Sequence, residues 1–167
     1  MRVILAKTAG FCFGVDRAVN MAYELANSGA RAATLGQLIH NSLVTDDLAA
    51  KGVRIISSPA EAQRGETVII RAHGVAAEVY EELKGTGAEI CDATCPFVKK
   101  IHLIVAENSG EDTEVFIAGD PNHPEVIGIK GHCKGEVNIF NSEAELDEII
   151  KNDGKKYDKR IIAVSQT

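Results

Sequence analysis

Two stretches of this chain, Cys12–Val19 "CFGVDRAV" and Cys95–His102 "CPFVKKIH", share the pattern C-x-x-V-x-[RK]. In both, a glycine follows the cysteine by 24 residues and a histidine follows it by 28 residues. These residues are Gly36 and His40 in the first stretch, and Gly119 and His123 in the second. Chance does not explain three agreeing positions, so the sequence predicts a duplicated unit.

The repeat continues beyond the histidines. "VRIISSPAE" from Val53 and "VNIFNSEAE" from Val137 share V-x-I-x-x-S-x-A-E at an offset of 84 (137 − 53). "VIIRAH" ending at His73 and "IAVSQT" ending at Thr167 match at an offset of 94 (167 − 73). The second unit then carries an insertion of 10 residues (94 − 84), for which the polar segment "KNDGKKYDKR" is the candidate surface loop.

Short β-branched runs alternate with helical periodicity along the whole chain, which is typical of α/β proteins. The sequence therefore predicts repeated open α/β units with mostly parallel sheets. The strand patterns are "RVILA", "AATLG", "VRIIS", "TVIIRA", "AEI", "EVFIAG", "VNIF" and "IIAVS". The helical patterns are Val15–Asn27, Leu43–Lys51, Ala76–Lys84, Val98–Glu107 and Ser142–Lys151.

Composition excludes several function classes. The 167 residues are 45% hydrophobic, which suffices for a real core. The 18 basic and 24 acidic residues give a net charge of −6, and no basic run is interleaved with aromatics, so we expect no nucleic-acid partner. No apolar run reaches the length of a membrane span, and the start is too short in its apolar part for a signal peptide. We therefore expect a cytoplasmic protein that has no membrane partner and whose four cysteines are thiols.

Chemically useful residues are predicted to fall just past the carboxyl ends of strands, where open α/β sheets bind ligands. Three histidines there could donate hydrogen bonds to one phosphate or diphosphate group, and a nearby glutamate could act as a general acid. The set comprises Cys12, Cys95, His40, His73, His123, Glu125 and Thr167. Cys91 and Cys133 lie outside the repeated pattern and are interpreted as structural, and neither His102 nor His132 is assigned a role.

Five motifs together carry a resemblance to a known family. "GFCFGVDRAV", "LGQLIHN", "IIRAHGV", "DATCPFVKKIH" and "NHPEVIG" resemble the IspH (LytB) family of 4-hydroxy-3-methylbut-2-enyl diphosphate reductases. The resemblance covers the whole chain but only the first part of a family member. It implies a trefoil of three similar α/β units around a central cavity, of which this chain holds two. Residues 1–94 would form the first unit and residues 95–167 the second, with a strand and cluster loop in residues 1–12 belonging to the absent third unit.

The resemblance also implies an activity, the last step of the non-mevalonate isoprenoid pathway. There an allylic alcohol diphosphate is reduced to isopentenyl and dimethylallyl diphosphates with loss of water, and ferredoxin or flavodoxin supplies electrons. Cys12 and Cys95 would be two of three thiolate ligands of a 4Fe-4S cluster with an open position on its fourth iron. His40, His73 and His123 would bind the diphosphate, Glu125 would supply protons, and Thr167 would assist Glu125.

The repeat places the third cysteine near position 189 (167 + 22, since 95 − 73 = 22), outside the chain. We therefore expect the complete gene product to be the reductase and these 167 residues alone to be a truncated piece with little turnover. Two alternatives stay open on the residues themselves. One is a two-unit diphosphate-binding module without redox chemistry, and the other uses Cys12 or Cys95 as a nucleophile or a zinc ligand.

Overall fold

The chain forms two parallel β-sheets flanked by helices, in a computed structural model that describes residues 2–152 and 159–167. The first sheet has the strand order β2-β1-β3-β4 and the second β6-β5-β7, and every pairing is parallel. The predicted repeated α/β architecture with parallel sheets is confirmed. The strands are β1 (Ala32–Leu35), β2 (Arg54–Ile56), β3 (Thr67–Ile70), β4 (Glu89–Asp92), β5 (Thr113–Ala118), β6 (Glu136–Phe140) and β7 (Arg160–Ser165).

Helices connect the strands, and all five predicted helices form with small shifts at their ends. A sixth helix, α5, was not predicted, because it has only seven residues and its periodicity is too short to read. None of the helices in the described part of the chain has the length and apolarity needed to cross a membrane. The helices are α1 (Phe13–Asn27), α2 (Ser42–Ala50), α3 (Ala77–Thr86), α4 (Pro96–Asn108), α5 (Pro124–Lys130) and α6 (Glu143–Asn152), with a 3₁₀ turn at Pro59–Glu61.

The central strand β3 shows why the first sheet is stable. Its apolar residues are continuous, as expected for a parallel strand with both faces covered. Ile69 packs into the core formed with α1 and α2, whereas Val68 and Ile70 pack on the opposite face with Leu83 of α3. All four side chains are fully buried, which removes their apolar surface from water on both sides of the sheet.

The strand predicted at "RVILA" is not formed. Residues 2–6 carry no regular structure, and Val3, Ile4 and Leu5 are 79%, 75% and 83% exposed. A strand is stable only when a neighbour satisfies its backbone hydrogen bonds. None of the seven strands in the described residues pairs with this stretch, so its β-propensity has no partner to act on. Cys12 therefore follows an extended loop here and not a strand end.

The sheet registers correct the repeat by one residue. Thr34 of β1 pairs with Ile69 of β3, and their counterparts Ile117 and Val164 pair in the second sheet. The number of residues between equivalent positions of the two units is 83 for β1 and β5 (117 − 34). For β3 and β7 it is 95 (164 − 69), not the predicted 94. Thr167 therefore corresponds to Ala72 (167 − 95), one residue before His73. Letter matching across an insertion does not constrain register, whereas hydrogen-bond pairing does. The predicted insertion "KNDGKKYDKR" lies largely outside the described residues.

His102, which the sequence marked only as a helix-face residue, is a core residue where the two units meet. It is 3% exposed and stacks on His132 with ring centroids 4.2 Å apart. A Cβ placed on Gly74 would lie 2.6 Å from His102 Cε1, so only glycine fits there, at a φ of +70°. His132 Nε2 in turn lies 3.0 Å from the carbonyl oxygen of Val75. The imidazole pair therefore fixes the loop after β3 against α4 and α5.

We expect His102 to make the protein acid-sensitive. Burial, followed by the neighbouring His132, lowers the pKa of His102 from 6.5 to about 4. Above pH 6.5 the ring is neutral in both folded and unfolded states, but between pH 6.5 and pH 4 only the unfolded state takes up the proton. Stability should therefore fall over that window, by about 3 kcal/mol if the full shift is expressed.

The measurement is the free energy of unfolding by urea between pH 7.5 and pH 4. His102→Phe should flatten the curve in this window, whereas His40→Gln, which removes an exposed histidine, should leave its slope unchanged. An equally steep acid decline in His102→Phe would contradict the assignment.

Candidate active site

Cys12 and Cys95 occupy the same position in the two units, as the N-caps of α1 and α4. Neither side chain makes a capping hydrogen bond, so the backbone N–H groups of the first helical turns stay available to a negatively charged group, except at Pro96 of α4, which has no N–H. Cys12 is exposed and Cys95 is half-buried. The positive ends of two helices suit anionic sulfur ligands.

A close approach between α1 and α4 brings these two helix starts together. A Cβ on Gly14 would lie 2.6 Å from Cys95 Sγ and 2.9 Å from its Cβ, so the absent side chain of Gly14 is the space that Cys95 fills. Arg17, one turn further along α1, donates to the carbonyl oxygens of Thr94 at 3.3 Å and Asp92 at 3.5 Å. The loop that ends at Cys95 is thus held against the helix that begins after Cys12.

Six of the seven predicted site residues line one cavity of about 230 Å³. They are Cys12, Cys95, His73, His123, Glu125 and Thr167. His40 is the exception: it is exposed and does not line the cavity, although its charge still acts on the pKa of His73. The cavity lies at the carboxyl ends of β3, β4, β5 and β7, as expected for ligand sites in parallel sheets.

Two histidine rings meet edge to face in this cavity. The ring centroids of His73 and His123 are 5.3 Å apart and the rings are 83° from parallel. His123 Nδ1 accepts the backbone N–H of Glu125 at 3.2 Å, so its proton is assigned to Nε2 when the ring is neutral. Burial lowers the pKa of His73, and the positive charge of Arg71 lowers it further. The site therefore favours a neutral His73.

Glu125 is the buried acid of the site. It is 3% exposed, and all three hydrogen bonds recorded to its carboxylate come from Thr167. The backbone N–H of Thr167 donates to Oε1 at 2.7 Å, and its hydroxyl lies 2.9 and 3.0 Å from the two carboxylate oxygens. These bonds orient the carboxylate at the cavity wall. The structure thus places the predicted acid and the predicted threonine in direct contact.

Gln166 is a lining residue that the sequence reasoning missed. Its Oε1 accepts the backbone N–H of Asp120 at 3.2 Å, and a Cβ on Gly119 would lie 2.8 Å from that oxygen. The signal was available, since Gln166 directly precedes Thr167 and the repeat singled out Gly119. The amide was overlooked because it carries no charge and resembles an ordinary strand-end residue.

The two cysteines fit part of a soft metal-ligand set. Among the residues that the structure describes, no three or more histidine, cysteine or acidic side chains are grouped so that they could hold a metal ion. Both thiols nevertheless line the cavity, and sulfur is the donor that iron–sulfur clusters take. Cys91 and Cys133 pack against the hydrophobic cores and do not line this cavity. A cluster in this cavity would therefore require a further ligand from outside these residues.

Comparison with known proteins agrees with the geometry. The family model described as LytB protein matches residues 3–167. A 4-hydroxy-3-methylbut-2-enyl diphosphate reductase of Caldanaerobacter subterraneus subsp. tengcongensis is 43% identical over 171 residues, covering 100% of this chain and 57% of that protein. A reductase of the same name from Geobacter sp. strain M21 is 44% identical over 149 residues, covering 89% of this chain and 53% of that protein.

Two solved structures share the fold. One, of (E)-4-hydroxy-3-methyl-but-2-enyl diphosphate reductase, described as the terminal enzyme of the non-mevalonate pathway, superposes with a TM-score of 0.78 at 38% identity, over 99% of this chain and 58% of that one. The Plasmodium falciparum reductase superposes with a TM-score of 0.81 at 27% identity, over 96% of this chain and 50% of that one. The chain thus spans between half and three-fifths of the length of these relatives.

Gly14→Ala tests the close approach of the two cysteine helices. The added methyl group has no space beside Cys95, so we expect a loss of about 1–3 kcal/mol in the free energy of unfolding and faster reaction of Cys95 with a thiol reagent. Gly85→Ala is the matched control, because Gly85 lies in α3 with open space around it and alanine there should stabilise the helix. Equal behaviour of the two variants in urea unfolding and thiol labelling would contradict the contact.

Proposed function

The chain belongs to the LytB family, and from that membership we propose that the complete protein is a 4-hydroxy-3-methylbut-2-enyl diphosphate reductase. The reaction removes the allylic hydroxyl group: substrate, two electrons and two protons give isopentenyl or dimethylallyl diphosphate and water. The observation that carries the proposal is one cavity lined by two cysteines at helix N-cap positions, two histidines and a buried acid. Each of these groups matches one requirement of the reaction.

The thiols suit the redox requirement. Cys12 and Cys95 would hold a 4Fe-4S cluster together with a third thiolate from outside these 167 residues. When bound, the cluster supplies the electrons and an open Lewis-acid position. One-electron carriers of the ferredoxin or flavodoxin class would deliver those electrons. Gly14 and Arg17 support the site by holding the start of α4 against α1.

The histidines suit the diphosphate requirement. A neutral His123 presents an Nε2–H, since its Nδ1 is already used as an acceptor. His73 lies beside it and, with its pKa lowered, donates from one nitrogen and does not carry a full charge. His40 would reach the same anion from the exposed loop after β1. Several donors at one sheet edge suit the several oxygens of a diphosphate.

Glu125 and Thr167 suit the proton requirement. A hydroxyl group leaves far more easily as water, so a proton donor must lie in the cavity wall. Glu125 is the buried acid there, and the hydroxyl and N–H of Thr167 set the direction of its oxygens. In this scheme Glu125 gives its proton to the departing hydroxyl group, and Thr167 is the positioning residue that keeps the acid aimed at it.

The repeat supports a third unit that completes the cavity. β4 leads directly to Cys95 and is paired with β3 in the sheet of the preceding unit. By the same pattern, the exposed residues 3–5, which lead to Cys12, would form the edge strand of the sheet in a third unit. That unit would stand to the first unit as the first stands to the second. The first unit would then be residues 1–94 less the N-terminal 12 residues, which would pack with the third unit. The second unit would span residues 95–167. With the corrected offset, the third cysteine is expected near position 190 (73 + 95 + 22).

Glu125→Gln should lower kcat of the complete, cluster-loaded protein about 10²- to 10⁴-fold, with a much smaller change in KM, because the amide has no acidic proton to transfer. The assay is anaerobic reduction of the allylic diphosphate. Glu114→Gln is the control, since Glu114 is also 3% exposed but hydrogen-bonds Asn138 within the second sheet. Near-normal turnover by Glu125→Gln would remove Glu125 from the proton path.

Cys12→Ser should lose most of the iron bound after anaerobic reconstitution, together with its visible absorption. Cys133→Ser should keep both, because Cys133 donates to the carbonyl oxygen of Ile129 away from the cavity. An iron-free complete protein that binds inorganic diphosphate equally well with and without Cys12 would contradict the reductase. It would instead favour the two-unit binding module.

A further inference from the structure

Arg71 carries a half-buried positive charge that the described residues leave uncompensated. It follows β3, two residues before His73. Its Nε is buried and has no hydrogen-bond partner in the described part of the chain. Burial alone lowers the pKa of Arg71, with no carboxylate acting on it. Because a guanidinium group stays charged in proteins, this arrangement is costly unless an anion comes to it.

The guanidinium lies over the start of the loop that carries His40. A Cβ on Gly36 would be 3.1 Å from Arg71 Nη1 and 3.5 Å from Cζ, so the bare backbone of Gly36 accommodates the planar group. Gly36 has a φ of +72°, which also favours glycine. The charge of Arg71 acts on His73 as well. The side chain of Arg71 therefore reaches from the segment that bears His73 to Gly36, at the start of the loop that bears His40.

The second unit shows that this charge is not required by the fold. With the offsets of the two sheets, Gly36 corresponds to Gly119 (36 + 83) and Arg71 to Gln166 (71 + 95). Gln166 lies over Gly119 in the same way, but it is neutral and its oxygen accepts the N–H of Asp120. At this position the second unit thus has an amide whose oxygen accepts a hydrogen bond. The first unit has a guanidinium group whose Nε makes no hydrogen bond within the described residues.

We propose that Arg71, which lies behind the cavity wall beside Gly36, is a further anion-binding residue that supplies a permanent positive charge to the diphosphate group on the His40 side of the site. The proposal rests on the proposed function and adds to it a specificity-determining residue. Neutral histidines donate hydrogen bonds but do not balance the charge of a diphosphate, whereas a guanidinium fork offers paired donors and a full charge. Arg71 would therefore favour a diphosphate over an uncharged or singly charged head group.

The experiment measures the Kd of inorganic diphosphate for the complete, cluster-loaded protein by calorimetry at several salt concentrations. Arg71→Gln, which installs the residue of the second unit, should raise Kd roughly tenfold to a hundredfold and weaken its salt dependence. Arg71→Lys should recover part of the affinity, because it restores the charge without the fork. Arg64→Gln is the control: it removes an exposed arginine from the opposite end of β3 and should leave Kd unchanged.

Equal Kd values for Arg71→Gln and Arg64→Gln would overturn the proposal. If Arg71→Gln does not fold, Arg71→Met, which also removes the charge, decides: a Kd raised several-fold with intact secondary structure supports the proposal, and an unchanged Kd and salt dependence overturn it. The proposed function is tested separately by turnover of the unaltered protein. Turnover with an unchanged KM in Arg71→Gln would reject only the role of Arg71, and Arg71-dependent diphosphate binding without turnover would reject only the reductase.

Discussion

The contact between Gly14 and Cys95 is the constraint on which the rest of the site depends. Two helix starts approach closely only if one of them lacks a side chain, and Gly14 supplies that gap in the first turn of α1. Arg17 then holds the backbone before Cys95 from the next turn of the same helix. The cavity follows from this approach, because its wall is built from the segments that the two helices hold in place.

The acidic and basic groups around the cavity differ in their position and burial. Glu125 is buried, and the exposed Thr167 provides all the hydrogen-bond donors that direct its carboxylate. His73 and His123 lie beside this pair in edge-to-face contact, and Arg71 places a positive charge two residues before His73. Such an arrangement suits a substrate with an anionic end and an uncharged reacting end, because each end meets a different kind of group.

Several features could not be predicted from the sequence, each for a physical reason. α5 is too short for its periodicity to be visible, although it carries Glu125 into the wall. In the sequence His102 resembles any polar residue of a helix, because its burial depends on contacts with Gly74 and His132. The stretch "RVILA" has strong strand propensity, yet propensity without a pairing edge does not make a strand. For His102 and "RVILA", the presence or absence of a partner distant in sequence decides the outcome.

Hydrophobic periodicity and repeated spacing were enough to predict the repeated α/β architecture and a set of candidate site residues, six of which line one cavity, because both patterns can be read along the chain without coordinates. The hydrogen bonds from Thr167 to Glu125, the position of His40 outside the cavity wall and the correspondence of Arg71 with Gln166 became visible in the folded chain. Those results depend on strand register and side-chain burial, which arise when residues far apart in the chain share one sheet edge.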